Sequence, residues 1–278
     1  MLRHLRAGRV SAPAIGADGS ARWTFEAGTR RLVLRLGKAD SAADPRRAQH
    51  VLRSLELCGV DGVPRIVDAG SVEGLGWTAE TLLPGHRPRQ LGKALVRDIA
   101  TFLSGLPTST VQFTARTDAE VLARAHPNRR AQLLDVADRL ADHPLAANPV
   151  VRHGDLWLGN CLRDRRGRLS GVVDWDASTP AGLPGADLLH LIATDVRLRR
   201  RSSLGDVWRT APWEGAAFLA PAQSQWPQWA HEADARRAVG TSWWLSQVAA
   251  DLNRAPQRAS DVRWWRSNVA SVLDAVAR

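Results

Sequence analysis

The residues best placed to do chemistry lie in Val150-Val151-Arg152-His153-Gly154-Asp155-Leu156-Trp157-Leu158-Gly159-Asn160. A short apolar strand runs into His-Gly-Asp, and Asn160 stands five residues after Asp155. Residues 161–163 read as a strand, Asp164-Arg165-Arg166-Gly167 as a turn, and 169–173 as the returning strand into Asp174-Trp175-Asp176. Such a hairpin brings Asp174 back beside Asn160 and Asp155. Two carboxylates and a carboxamide then converge at strand ends, with no Cys or His pair nearby. Hard oxygen donors of this kind suit Mg²⁺, which takes one or two carboxylates and fills its shell with substrate phosphates. Singly these residues say less: an Asp in a turn is ordinarily a turn residue, and Cys161 reads as a small buried hydrophobe rather than a nucleophile. Asp176 reads equally well as a helper behind the site or as a surface acid.

The flanking sequence supplies elements that could hold this hairpin. Residues 21–26 and 31–36 are rich in β-favouring types and flank Ala27-Gly28-Thr29, a hairpin signal. Residues 44–57 begin with Asp-Pro and carry Val51, Leu52 and Leu55 at helical spacing, which predicts a helix with Asp44 as its cap and Pro45 in its first turn. Two more strands follow, 65–69 and 75–82, and Pro84-Gly85 breaks the second. Helices are then expected over 91–103, 118–141, 188–200, 233–252 and 261–276, with the β-rich island 150–175 between the second and the third. The chain thus divides into a small β-rich part with one helix, residues 1–83, and a larger helical part, residues 84–278.

His153-Gly154-Asp155 with Asn160, followed across one hairpin by Val172-Val173-Asp174-Trp175-Asp176, resembles the aminoglycoside phosphotransferase and choline kinase group, small-molecule kinases with the protein-kinase-like fold. The resemblance covers about residues 20–190, and the remainder matches only in being helical. It implies an α+β, bilobal fold, with residues 1–83 as a nucleotide-binding N-lobe and 84–278 as a mostly helical C-lobe carrying the catalytic loop and acceptor site. It implies ATP as co-substrate, Mg²⁺ as cofactor, and transfer of the γ-phosphate to a hydroxyl of a sugar-like or amino-alcohol acceptor. Asp155 would orient the acceptor hydroxyl and accept its proton, Asn160 and Asp174 would hold Mg²⁺, and His153 would pin the catalytic loop. Arg35 stands where the family carries a phosphate-contacting cation. Glu80, Thr81 and Leu82 would form a hinge for the adenine edge, Gly19 and Ser20 would belong to the phosphate-covering loop, and Asp187 would support the catalytic loop, or else cap its helix. One departure bears on activity. The helix 44–57 should pair a Glu with Arg35, but the aligned position is Ala48, beside Gln49, with Glu56 two turns on. An alternative follows from it, a catalytically weak kinase-like nucleotide-binding module.

Composition narrows the partners. The net charge is +10, but only Lys38 and Lys93 among the 38 basic residues are lysines, Tyr is absent and Met occurs once. Part of the charge is therefore a compositional habit, and no helix-turn-helix, zinc-finger or RNA-recognition motif argues for a specific nucleic-acid partner. Arg197, Arg199, Arg200 and Arg201 would repel a polycation, so a neutral or anionic acceptor, such as a saccharide, suits the sequence better. Two cysteines cannot form a disulfide framework, and no secretory or membrane-spanning segment is evident, so a cytoplasmic setting without a membrane partner is expected. Eight of the 12 tryptophans follow residue 207. In each of the pairs Trp243-Trp244 and Trp264-Trp265, at most one ring is expected in the deep core. Trp213, Trp226 and Trp229 are alternatives for stacking on a flat acceptor.

Overall fold

The computed structural model describes residues 9–16, 19–27, 30–41, 44–214 and 232–276. Two short strands, β1 (Arg9–Val10) and β2 (Ala14–Ile15), both pair with β3 (Ala21–Ala27). β4 (Arg30–Lys38) follows antiparallel to β3; of the predicted turn between them, Gly28 and Thr29 lie outside the described residues. α1 (Gln49–Leu57) is entered through a 3₁₀ turn, Pro45–Ala48. Asp44 caps that turn, accepting from the Arg46 N–H at 3.0 Å. β5 (Ile66–Val72) and β6 (Leu75–Thr81) complete an antiparallel sheet in the order β1-β3-β4-β6-β5. Val51, Leu52 and Leu55 form the buried stripe of α1 at the predicted spacing.

The chain separates into two compact units. The first comprises Met1–Arg89, His153–Asp155 and Gly159–Thr179; the second comprises Gln90–Arg152, Leu156–Leu158 and Pro180–Arg278. The sequence places the segment 150–175 with the helical part, whereas most of it belongs to the first unit. The cause is hydrogen bonding. The hairpin β8 (Cys161–Arg163) and β9 (Leu169–Val172) gives the Val172 N–H to the Gly62 carbonyl at 2.8 Å and the Ser170 hydroxyl to the Pro84 carbonyl at 2.9 Å. His86 and Arg163 also exchange backbone bonds at 3.0 and 2.8 Å.

In the second unit, α2 (Lys93–Ser104), α3 (Arg116–Ala125), α4 (Arg130–Asp142), α5 (Ala186–Arg200), α6 (Leu204–Thr210) and α7 (Ala233–Arg254) are helical. The strand β7 (Val150–Arg152) pairs with β10 (Thr179–Gly182). The helix expected over 118–141 is two helices, because Pro127 lacks an N–H and stops the first near His126. Of the tryptophan pairs, Trp264-Trp265 buries only Trp265, as expected, and Trp243-Trp244 departs from expectation. Trp243 and Trp244 are both fully buried, because every residue from Val239 to Leu245 on α7 is enclosed and the helix is surrounded rather than one-sided. Trp244 donates from Nε1 to the Asn268 carbonyl at 2.6 Å, and Trp243 meets the edge of Trp213 at 5.7 Å. Trp213 is thus core and is not available for stacking on an acceptor; Trp226 and Trp229 lie outside the described residues. No helix among the described residues is long and apolar enough to cross a membrane.

Asp44 has a testable energetic role. Its buried carboxylate pairs with Arg46 at 2.6 Å and accepts from the Asp40 N–H at 2.9 Å. The Arg46 hydrogen bond, against the opposing effect of burial, holds the carboxyl well below the usual carboxylate range. The group therefore stabilises the fold above its unfolded pKa, and that contribution fades as pH falls toward the folded value. Asp44→Ala should cost about 1–2 kcal/mol in urea unfolding at pH 7, and the difference between variant and wild type should shrink in acid.

Candidate active site

The loop after β7 is shaped by Gly154, whose φ of +82° lies in the left-handed region. A Cβ there would stand 2.1 Å from the Ala177 carbonyl oxygen, so only glycine lets the loop lie this close to the 175–177 turn. His153 is fully buried, with its ring tilted against Trp175 at 4.7 Å. Its Nδ1 accepts from the Asp155 N–H at 3.2 Å, which places the ring proton on Nε2, 3.0 Å from the Val173 carbonyl. One imidazole thus links the residues flanking Asp155 and Asp174. Asn160 is buried as well. Its Nδ2 donates to the Asp155 carbonyl at 2.9 Å, and its own carbonyl accepts from the Val173 N–H at 2.9 Å. Asp155, Asn160 and Asp174 are therefore brought together by bonds to their own or adjoining backbone. Asp174 takes φ +70°, a conformation that Asp tolerates better than most side chains. Cys161, at the start of β8, is buried, and burial pushes its thiol up to about 12, which makes it a poor nucleophile.

Arg35 occupies the middle of the sheet face that looks onto this loop. Its side chain is 16% exposed and meets three carboxylates. NH1 donates to Asp176 Oδ1 at 2.7 Å and lies 3.7 Å from Glu80 Oε1, and NH2 donates to Asp174 Oδ1 at 3.0 Å and to Asp176 Oδ2. Burial alone would lower the guanidinium pKa, but Asp176, Glu80 and Asp174 together hold it above its ordinary value. With three carboxyls to one guanidinium, not every acid is neutralised. Burial, and then repulsion from Asp174, push Asp176 up to about 7 despite Arg35. Burial also raises Glu80 above the usual carboxylate range, partly offset by Arg35 and by the Thr78 hydroxyl donating at 2.9 Å. The expected helix carboxylate is absent. Ala48 is buried, and Glu56 pairs with Arg65 at 3.8 Å instead. Glu80, from the neighbouring strand, supplies the acid that the helix lacks.

The other sequence-predicted residues fall in distinct places. In the 80–82 stretch, the Thr81 N–H goes to the Arg65 carbonyl at 3.0 Å and the Leu82 N–H to the Arg31 carbonyl at 2.9 Å. The Thr81 and Leu82 N–H groups are thus taken up within the protein, and the next along the chain is that of Leu83, since residue 84 is proline. A cavity of about 250 Å³ is lined by Val33, Glu80, Leu82, Leu162 and Asp174 among others. A second, of about 230 Å³, is lined by Gly16, Ser20, Arg35 and Asp174. Gly19 closes the turn at its rim with φ +79°, donating to the Gly16 carbonyl at 3.1 Å. Asp187, in the second unit, is buried in the first turn of α5, 3.4 Å from Arg152 Nε. It thereby ties down the residue immediately before His153. Arg152 and the Glu80 side chain were not singled out by sequence. The strand register that pairs Val33 with Glu80 and Arg35 with Thr78 is what places Glu80 on the site face, and alternation along a strand offers that signal in principle.

The donors Asn160 Oδ1 and Asp174 suit a hard divalent cation. Among the described residues no group of three or more His, Cys, Asp or Glu is arranged as an all-protein metal cage, and a phosphate-bound Mg²⁺ does not require one.

The raised Asp176 predicts a pH signature. The folded state keeps a proton that the unfolded chain, with its ordinary value near 3.8, has released. Stability attached to this group is therefore full in acid and declines as pH rises toward about 7. Melting temperature measured against pH should fall in wild type relative to Asp176→Asn across that window and run parallel above it. Parallel curves throughout would show that Asp176 titrates normally. In the loop, Gly154→Ala should cost about 1–3 kcal/mol through its φ alone, and more through the clash at Ala177; chemical denaturation measures it.

Comparison with known proteins accords with this geometry. The profile of the phosphotransferase enzyme family matches residues 10–231. No curated protein matches the chain in sequence. Among solved structures, a thermostable mutant of aminoglycoside phosphotransferase APH(4)-Ia in its apo form is 17% identical with a TM-score of 0.63, covering 99% of this chain and 98% of its own. A ternary complex of a further variant of that protein with ADP and hygromycin B is 18% identical with a TM-score of 0.58, covering 96% and 95%. Aminoglycoside phosphotransferase APH(3'')-Id from Streptomyces rimosus is 21% identical with a TM-score of 0.56, covering 84% and 92%. The likeness to these structures is one of fold, the bilobal protein-kinase-like fold, and together with the family match it shows that the chain belongs to the phosphotransferase enzyme family.

Proposed function

We propose that this chain is an ATP-dependent kinase of small molecules that phosphorylates a hydroxyl. The observation that carries the reading is the backbone-locked trio Asp155, Asn160 and Asp174, fixed by the His153 and Asn160 bonds beside a sheet face that bears Arg35. Structural neighbours hold ADP with hygromycin B and ADP with streptomycin, which supports a nucleotide and a hydroxyl-rich acceptor as the pair of substrates.

Phosphoryl transfer asks little covalent work of a protein; positioning and charge neutralisation dominate. Asp155 orients the acceptor hydroxyl and takes its proton as the oxygen attacks the γ-phosphorus. Asn160 Oδ1 and Asp174 would hold Mg²⁺. Mg²⁺, when bound, neutralises charge on the phosphate oxygens. Arg35, gripped by Glu80 and Asp176, keeps Asp174 aimed at the metal position. His153 holds the loop through both ring nitrogens. The Glu80 grip on Arg35 favours a working enzyme over a merely nucleotide-binding module, because it supplies the partner the helix lacks.

The acceptor is neutral or anionic and sugar-like. Arg197 and Arg199 are paired, with Asp251 at 3.6 Å and Asp195 at 3.0 Å, but Arg200 and Arg201 remain exposed at the end of α5, and the chain as a whole carries +10. Incubation with γ-labelled Mg·ATP and a panel of sugars, phosphorylated metabolites, amino alcohols and aminoglycosides should give a labelled product from the first two classes. Low-micromolar KM values for aminoglycosides would sink the charge argument. Asp155→Ala should lower kcat about 10²–10⁴-fold, with ADP affinity held within about two-fold because the group acts on the hydroxyl. Equal label from variant and wild type would remove Asp155 from the chemistry.

A further inference from the structure

We infer that Arg22, on the same sheet face as Arg35, receives the nucleotide polyphosphate. The assignment rests on the kinase reading above and names a residue within it.

The strand register carries the argument. Arg22 on β3 is the cross-strand partner of Arg35 on β4, and Arg35 is that of Thr78 on β6. Directly paired residues project from the same face of a sheet. The next row on that face is Thr24, Val33 and Glu80. Both guanidinium side chains line both cavities, the one that reaches Leu82 and Leu162 and the one bounded by Gly16 and Ser20. Their surroundings differ. Arg35 is 16% exposed and engaged by Glu80, Asp174 and Asp176. Arg22 is exposed and has no ion pair among the described residues.

A phosphate approaching Arg35 would meet those carboxylates as well as the cation. Mg²⁺ held at Asp174 would offset part of that acid, and a second fixed cation on the same face would offset more. Arg22 brings that charge to the same face, with Glu80 close enough to feel it but not paired to it. Its planar fork suits two phosphate oxygens at once. Arg35 fixes Asp174 and Asp176, and Arg22 adds a guanidinium that holds no carboxylate among the described residues.

The test is calorimetric titration of ADP and of adenosine into wild type, Arg22→Gln and Arg22→Lys, with melting temperature as the control for folding. Arg22→Gln should weaken ADP about 10-fold or more, as expected for loss of a charge-assisted pair, leave adenosine unchanged, and raise KM for ATP in parallel. Arg22→Lys should recover part of the loss. ADP affinity in Arg22→Gln equal to wild type would overturn the assignment while leaving the kinase reading intact. An equal loss for adenosine and ADP would also overturn it, since the side chain would then serve the base end or the fold. Failure of wild type itself to bind ADP would instead remove the nucleotide reading, and the assignment with it.

Discussion

A single guanidinium organises the first unit. Arg35 reaches from β4 to Glu80 on β6 and to Asp174 and Asp176 in the turn after β9. Burying any one of these charges alone would be expensive, and the cost falls only when the partners are held in good geometry. The sheet and the turn are therefore coupled: the strand that carries Arg35 sets where Asp174 can be. Burial first, and then the excess of acid over base, raises Asp176 and Glu80. A fold seeking stability alone would have no reason to gather three carboxyls around one cation. The surplus negative charge makes sense beside a divalent cation, which would reverse the local balance.

The hairpin that returns to the catalytic loop does the second half of the positioning. His153 is apolar in its surroundings and polar at both ring nitrogens, so it can only sit where two backbone groups answer it, the Asp155 N–H and the Val173 carbonyl. Gly154 lets the loop approach the Ala177 carbonyl, where any Cβ would collide. The reactive side chains thus depend on constraints that are themselves unreactive. That is why His153, Gly154 and Trp175 belong to the same sequence signature as Asp155, Asn160 and Asp174.

What was legible in the sequence follows from this division. Local signals were readable: Asp44-Pro45 announced a helix entry, Val51, Leu52 and Leu55 announced its buried stripe, and the spacing of Asp155, Asn160 and Asp174 announced a hairpin closing on itself. Non-local pairings were harder. Nothing beside Glu80 in the chain says that Arg35 faces it; the fact lives in the β4–β6 register. Trp243-Trp244 looked one-sided because adjacent helical residues diverge by a wide angle. A helix enclosed on all sides buries both, and enclosure is a property of its neighbours. Pro127 was visible, and its effect on the long helix follows from the missing N–H.

The relocated acid carries a consequence for how such a site stays intact. A carboxylate on a helix can move with that helix, drawing the strand cation in or letting it go. Glu80 sits on a strand hydrogen-bonded to the strand of Arg35, and its partner Thr78 lies two residues away on the same face. The two backbones cannot part unless the sheet itself opens, so the pair is loosened by side-chain rotation and not by movement of one element past another. In this chain the Arg35 anchor is therefore shared between the sheet, through Glu80, and the turn after β9, through Asp174 and Asp176, and α1 contributes no carboxylate to it. The position expected to face Arg35, Ala48, lies in the turn that enters that helix and is packed into the core, and the helix's one glutamate, Glu56, points to Arg65. The helix serves as a packing element, and the geometry of the site is set by strand register.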